Sequence, residues 1–288
     1  MTGCTVIRLG LPKGRMQESV FQLLADAGIR VRDAGRGYRT ELSLPGFETK
    51  ILKPQNIVEM LHLGSRDVGF AGADWVAELG ADVVELLDTG LDSVRLVAAA
   101  PSTLLTGGRL PERPLIVASE YERIAAAWVE RRGLDAKVVR SYGATEVFPP
   151  EDADCIVDNT ATGSTLRSNG LEIVDELMTS STRLYANPRA LDDGPRAEAL
   201  RRFVVLLTSV LEARRRVMLE VNVQPSCLEA VVAMLPCMRQ PTVAPLHGNS
   251  GFAVKAAVPR ADLPRLIPEI KARGGSDIVV TELAQIVP

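Results

Sequence analysis

Between Asp154 and Leu166 a short apolar segment flanked by two carboxylates, Asp154-Cys-Ile-Val-Asp158, runs into Asn159-Thr160-Ala161-Thr162-Gly163-Ser164-Thr165. Ile156 and Val157 read as a buried strand, and Thr165 onward as the start of a helix. A loop of hydroxyls around one glycine at such a junction offers N–H and O–H groups to a phosphate dianion, aided by the positive end of the helix dipole. Asp154 and Asp158 are placed to accept hydrogen bonds from ribose hydroxyls or to approach a phosphate-bound magnesium ion. The pattern therefore predicts a phosphoribosyl group held by Thr160, Thr162, Gly163, Ser164 and Thr165. An ordinary N-cap ahead of a helix gives the same residues. The glycine patterns of nucleoside triphosphatases and dinucleotide folds are absent from this stretch, so it supports neither mechanism.

Three further groups carry charge or turn chemistry. Lys13-Gly14-Arg15 follows an apolar strand and presents permanent positive charge to a pyrophosphate or triphosphate. Gly72 and Asp74 stand where a strand passes into a helix, and Glu146 ends Tyr142-Gly-Ala-Thr-Glu. A solvated turn, a helix-capping carboxylate and a surface helix start are the plainer readings of the three.

These residues need a scaffold. Val6–Leu11 reads as a strand, Gln17–Ala27 as an amphipathic helix closed by Gly28, then strand Thr49–Lys53, helix Gln55–Leu63, strand Val68–Ala71 and helix Ala73–Leu79. After Leu96–Ala100 the alternation repeats, with strand Leu115–Ala118, helix Tyr121–Arg132, strand Ala136–Arg140 and the strand after Asp154. A mostly parallel, helix-covered sheet in two lobes is expected. Leu184–Asn187 and a helix over Arg196–Arg215 return to the first lobe, which hinges the lobes by paired crossovers and makes the cleft between them the default ligand site. The tail reads strand Val217–Val223, helix Ser226–Met234, strands Thr242–Leu246 and Phe252–Val258, helix Ala261–Arg273 and strand Asp277–Thr281. This βαββαβ order is ferredoxin-like.

The chain has 288 residues, 46% of them hydrophobic and 24% charged, enough for two or three domains. A formal charge of -3 and 4% aromatics argue against a nucleic-acid surface. Phe70, Trp75 and Tyr142 are then assigned to packing or a nucleotide pocket. Cys4, Cys155, Cys227 and Cys237 form no Cys-x-x-Cys pair, and His62 and His247 are the only histidines, which argues against structural zinc and a histidine-dependent triad. With no membrane-length apolar segment and no leader pattern at Met1, a cytoplasmic, reduced protein is expected.

Several separated motifs share one resemblance: Leu11–Arg15, Asp67–Asp74, Tyr142–Glu146, Asp154–Leu171, Leu235–Leu246 and Gly274–Ile278. In their order and spacing the chain resembles the long-form ATP phosphoribosyltransferases, the first enzymes of histidine biosynthesis, over essentially its whole length. That resemblance implies an α/β fold, with a two-lobed periplasmic-binding-protein-like catalytic core and a C-terminal ferredoxin-like regulatory domain. It divides the chain into lobe I (1–93 and 176–213), lobe II (94–175) and a regulatory domain (214–288).

The resemblance also implies transfer of phosphoribosyl from phosphoribosyl pyrophosphate to N1 of the adenine of ATP, with Mg2+ bound mainly through pyrophosphate and water. It makes Asp154 and Asp158 catalytic, and Lys13, Gly14, Arg15, Gly72, Asp74, Glu146 and the 160–165 loop substrate-binding. Dimers and hexamers are implied, with feedback inhibition by histidine in a pocket framed by Asn222, Thr242, Leu246, Ser276 and Asp277. The chain departs from its relatives at Lys53-Pro-Gln-Asn56-Ile57, where they show Arg-x-x-Asp-Ile, on the adenine side. It departs again at Asp158-Asn-Thr-Ala-Thr-Gly163, where they show Asp-Leu-Val-Ser-Thr-Gly; the glycine and the phosphate-holding hydroxyls are kept. A ligand sensor on the same two lobes, and a phosphoribosyltransferase acting on a free base, are the competing readings.

Overall fold

A computed structural model describes residues 6–33 and 40–287; Cys4 lies outside the described residues. The chain divides into two compact units, Met1–Gln22 with Arg30–Leu200, and Leu23–Ile29 with Arg201–Pro288.

In the first unit, β1 (Ile7–Pro12), α1 (Arg15–Asp26), β2 (Val31–Asp33), β3 (Thr40–Leu42), β4 (Phe47–Leu52), α2 (Pro54–His62), β5 (Val68–Gly72) and α3 (Ala73–Leu79) follow in order. The long strand β6 (Val84–Pro101) leads to β7 (Leu115–Ser119), α4 (Glu122–Arg132), β8 (Ala136–Arg140), β9 (Cys155–Thr160) and α5 (Ser164–Ser168). A second long strand, β10 (Leu171–Ala186), precedes α6 (Pro188–Asp192) and α7 (Gly194–Arg215), which belongs to the second unit from Arg201 onward.

Eight strands form one sheet in the order β4-β1-β5-β10-β6-β9-β7-β8. β1 runs parallel to β4 and β5, and β7 parallel to β8 and β9. The middle differs from a mostly parallel sheet: β10 is antiparallel to β5 and β6, and β6 to β9. One strand carries the chain out of the first parallel group and another carries it back, so the two crossovers run in opposite directions and pair with each other. Both parallel groups are therefore anchored on the same antiparallel ribbon.

Periodicity explains the rest of this unit. Every residue of β5, Val-Gly-Phe-Ala-Gly, is buried, as a strand covered on both faces requires. Arg8 on β1 donates to both carboxylate oxygens of Asp67, at 2.7 and 3.0 Å, and its backbone N–H adds a third bond at 2.7 Å. Burial works to raise the Asp67 carboxyl, and the Arg8 bonds and charge outweigh it, holding it below the usual carboxylate value.

The second unit carries β11 (Arg216–Val223), α8 (Leu228–Val232), β12 (Thr242–Pro245), β13 (Phe252–Pro259), α9 (Leu263–Ala272) and β14 (Ser276–Glu282). Its sheet order is β12-β13-β11-β14, with every neighbouring pair antiparallel, which is the ferredoxin-like arrangement. Strict alternation along β11 buries Val217, Leu219, Val221 and Val223 with Leu266 and Ile270 of α9.

Candidate functional site

The site is built at the C-terminal ends of β7 and β9, where an α/β sheet leaves room for ligands. β9 ends at Thr160, whose side chain is buried and whose Oγ1 accepts the Gly163 N–H at 2.9 Å. Gly163 has φ +74°, a left-handed conformation that suits glycine and turns the chain into α5. The Ser164 N–H bonds to Thr162 Oγ1 at 3.3 Å, and the Thr162 and Ser164 hydroxyls lie 3.0 Å apart. α5 has five residues, too few aligned peptides for a full helix dipole, so hydroxyls and loop N–H groups carry most of the anion affinity.

Beside this loop lies a cavity of about 390 Å³. Asp158, Glu146, Thr160, Thr162, Ser164 and Thr165 line it, and Arg15 lines it from the start of α1. Glu120, which follows β7, and Asn159, together with the Gly143–Thr145 turn, also face it. Those two were not anticipated from sequence. A polar residue just beyond an apolar parallel strand is the signal that could have found Glu120, and an amide closing an apolar strand is the signal for Asn159.

Asp158 is perturbed in a way that fits a working group. Burial first, and the nearby charges of Glu120 and Glu146, push its carboxyl up to about 6, against the opposing effects of the Asn159 N–H and the Arg15 charge. The Asn159 N–H is 2.7 Å from Asp158 Oδ1.

Other expected residues are placed elsewhere. Asp154 sits before the opposite end of β9, 2.7 Å from Arg113 Nη2, and accepts the Ile116 N–H at 2.8 Å; it does not line the cavity. Partial burial works to raise its carboxyl, and the Arg113 and Ile116 bonds outweigh it, so it lies below the usual value. Four strand residues keep Asp154 and Asp158 on one face but carry them toward opposite ends, so the pair expected to act together is separated.

Asp74 is 2% exposed. Its Oδ1 accepts from Ser180 Oγ at 2.8 Å and its Oδ2 from the Tyr121 hydroxyl at 2.7 Å. It is spent on those partners rather than open to substrate, and Gly72 is its helix N-cap residue. Lys13 and Gly14 adjoin Arg15 without lining the cavity, and Gly163 shapes the loop without lining it. Lys53 and Asn56 lie at the start of α2, also off the cavity. Phe70 is core, Trp75 stacks on Tyr121 with ring centroids 4.6 Å apart, and Tyr142 stands 86% exposed with the Arg140 guanidinium 5.3 Å from its ring centre.

In the second unit Asn222 Nδ2 donates to Asp277 Oδ2 at 3.1 Å, and Ser276 Oγ donates to the same oxygen at 3.1 Å. Thr242 belongs to β12 at the other edge of the sheet, where it lines a cavity of about 540 Å³, and Leu246 follows β12. The sheet order places β12 and β14 at opposite edges, so the five residues expected to frame one pocket form two groups within the chain.

Among the described residues no helix is long and apolar enough to cross a membrane, and no set of three acidic, histidine or cysteine side chains stands close enough to hold a metal ion. Cys155, Cys227 and Cys237 are free thiols. Burial and the charge of Asp154 push the Cys155 thiol up to about 12, away from nucleophilic use.

This architecture has close counterparts. A family model described as ATP phosphoribosyltransferase matches residues 53–209, and one described as HisG, C-terminal domain, matches residues 213–285. An ATP phosphoribosyltransferase of Chlorobium phaeovibrioides is 36% identical over 289 residues, covering 98% of each chain. One of Pelotomaculum thermopropionicum is 35% identical over 287 residues, covering 98% of this chain and 99% of the relative. A solved chain of the ATP phosphoribosyl transferase (HisG:HisZ) complex from Thermotoga maritima superposes with a TM-score of 0.64 at 26% identity, covering 72% of this chain and 99% of that one. With matches spanning both the sheet that carries the cavity and the ferredoxin-like tail, the chain belongs to the ATP phosphoribosyltransferase family.

Proposed function

We propose that the chain transfers phosphoribosyl from phosphoribosyl pyrophosphate to N1 of the adenine of ATP, releasing pyrophosphate and forming phosphoribosyl-ATP, the first step of histidine biosynthesis. The observation that carries this reading is one cavity lined by Asp158, the hydroxyl loop and Arg15. The loop from Thr160 to Thr165 holds the 5-phosphate, and Asp158 accepts from ribose hydroxyls. Arg15, with Lys13 beside it, meets the pyrophosphate or the triphosphate of ATP.

Displacement at the anomeric carbon passes through an oxocarbenium-like state, so no protein nucleophile is needed. The residues align two anionic substrates and exclude water. Asp158, Glu120 and Glu146 line the same cavity that receives an anionic donor, but among the described residues no three such side chains stand close enough to hold a metal ion by themselves, so Mg2+ would be held mainly by pyrophosphate oxygens and water, with a single carboxylate such as Asp158 assisting. When bound, Mg2+ neutralises charge building on the leaving pyrophosphate.

The reading extends to the organisation of the chain: lobe I from 1–93 and 176–213, lobe II from 94–175, and a regulatory domain over 214–288 that binds histidine at residues including Asn222, Thr242, Leu246, Ser276 and Asp277. Their division between two sheet edges favours a histidine pocket completed between copies in a dimer or hexamer.

Incubating the purified chain with ATP, phosphoribosyl pyrophosphate and magnesium, with and without histidine, tests the proposal through pyrophosphate release and product mass. Phosphoribosyl-ATP that histidine suppresses is the expected result. Saturable ligand binding without product overturns it in favour of a sensor. Product that histidine leaves unchanged removes the regulatory half.

A further inference from the structure

Behind the cavity a hydrogen-bonded chain crosses the sheet. Asp74 at the start of α3 accepts from Ser180 and Tyr121, and the Tyr121 hydroxyl accepts from Asn159 Nδ2 at 2.9 Å. Tyr121 is 1% exposed, and Trp75 stacks on its ring. The direction of this chain follows from counting protons. A carboxylate only accepts, so the single phenolic proton goes to Asp74. The phenolic oxygen can then only accept from Asn159, so the amide must turn its NH2 inward. Burial, the Asp74 charge and its hydrogen bond push the phenol well above its ordinary value, which keeps that proton in place.

The other end of the amide is consequently defined. Asn159 Oδ1 accepts no bond from a described residue, and among the described residues the buried side-chain polar atoms without partners are Arg66 Nη1 and Arg196 Nε, so Oδ1 is solvent-accessible. Asn159 lines the cavity next to Asp158.

We infer that Asn159 is a substrate-binding residue whose carbonyl oxygen accepts a hydrogen bond from a ribose hydroxyl of the phosphoribosyl donor, with Asp74 and Tyr121 as positioning residues that set which end of the amide faces the cavity. The ribose is chosen over the adenine amine because Asn159 adjoins Asp158 and opens the loop that holds the phosphate. The inference deepens the phosphoribosyl-transfer reading and rests on it.

Reversing the chain is the test. In Asp74→Asn the new amide donates to Tyr121, Tyr121 donates to Asn159 Oδ1, and the cavity meets an NH2 group instead of an acceptor. KM for phosphoribosyl pyrophosphate should rise about tenfold with KM for ATP little changed, the scale of one lost hydrogen bond and one mismatched donor. Asn159→Asp alone leaves two carboxylates competing for one phenolic proton and should do the same. The double variant Asp74→Asn with Asn159→Asp restores one donor and one acceptor at every link and returns an acceptor to the cavity. Its KM should recover to within about threefold of the unaltered chain, which a merely structural role would not produce.

Additive losses in the double variant, or a rise in KM for ATP instead of the sugar donor, overturn the inference while product formation by the unaltered chain leaves the enzyme reading standing. No phosphoribosyl-ATP from the unaltered chain overturns both. If Asp74→Asn does not fold, Tyr121→Phe keeps the stacked ring and removes the link. It should raise KM for the sugar donor by a similar factor, without rescue by Asn159→Asp, and an unchanged KM overturns the inference.

Discussion

Two corners of one sheet begin alike and end differently. β5 passes through Gly72 into α3, and β9 passes through Gly163 into α5. At the first corner Asp74 lies in the first helical turn, and its carboxylate reaches back so closely that Oδ1 leaves no room for a Cβ on Gly72. The protein has filled that corner with its own anion and buried it. At the second corner the first turn holds no acid, the hydroxyls of Thr160, Thr162 and Ser164 brace the loop, and a cavity opens beside it. A buried carboxylate in the first turn repels a second anion and leaves it no room, whereas a corner built of hydroxyls beside an open cavity can take a ligand's anion.

The sharpest way to break that contrast is to make the second corner resemble the first. Ser164→Asp puts a carboxylate where a phosphate is to bind, and like charges at such range cost several kcal/mol, about a hundredfold or more in affinity. Calorimetric titration with phosphoribosyl pyrophosphate should show that loss while the melting temperature holds or rises, since an acid in the first turn favours the helix. Unchanged donor affinity would sink the assignment of this loop to phosphate. Gly163→Val attacks the same corner through its backbone. A β-branched residue at φ +74° costs about 1–3 kcal/mol, and its Cβ would lie 3.0 Å from Arg167 Nη1. We expect donor affinity to fall about ten- to a hundredfold, and the same titration at wild-type strength would speak against it.

Asp158 contributes a smaller effect with an opposite sign in stability. Its carboxyl is raised from 3.8 to about 6 in the folded chain, so the fold favours the neutral form. That contribution is present below the unfolded value and is lost as pH rises through about 6. Asp158→Asn should therefore be more stable than the unaltered chain by about 2 kcal/mol near pH 7.5, with the gap closing below about pH 4. Activity should move the other way, about tenfold lower in kcat/KM for the sugar donor, and the limb near pH 6 should disappear from the profile. Chemical denaturation at both pH values checks the first half; a gap that persists at low pH would show that the gain has another cause.

The legible parts of this chain are those with short, regular periods. Ala73–Leu79 reads as a helix and is one, and the tail's βαββαβ order appears with the sheet order that the pattern implies. The crossovers were visible only at Leu96–Ala100 and Leu184–Asn187, although β6 spans 18 residues and β10 spans 16. Their outer halves are exposed or half-buried and their pairing is interrupted by register shifts, so no strict alternation marks them. The hydroxyl loop announced itself by composition. Asn159 and Glu120 did not, because a single polar residue at a strand end acquires meaning only when the neighbouring strand brings it to a shared cavity. The roles of Asp154 and Asp158 were equally hidden: both flank the same strand, and only the Arg113 contact tells which end faces inward chemistry and which end faces an ion pair.

That last distinction yields the smallest effect. Asp154 is held below its ordinary value by Arg113 and the Ile116 N–H, so it stabilises the fold above the unfolded value of 3.8 and loses that contribution as pH falls through its lower folded value. With Arg113 about half exposed, the ion pair is discounted by solvent, and Asp154→Asn should cost about 1 kcal/mol at neutral pH, most of it from lost charge assistance in the bond to Ile116, which the amide oxygen still accepts. The cost should fade in acid, once pH falls through that lowered native value and the carboxyl of the unaltered chain is also neutral. Because Asp154 lies off the cavity, KM for both substrates should stay at the value of the unaltered chain at temperatures where both remain folded. A loss of kcat/KM comparable with that of Asp158→Asn would return Asp154 to the reaction and erase the difference between the two ends of β9.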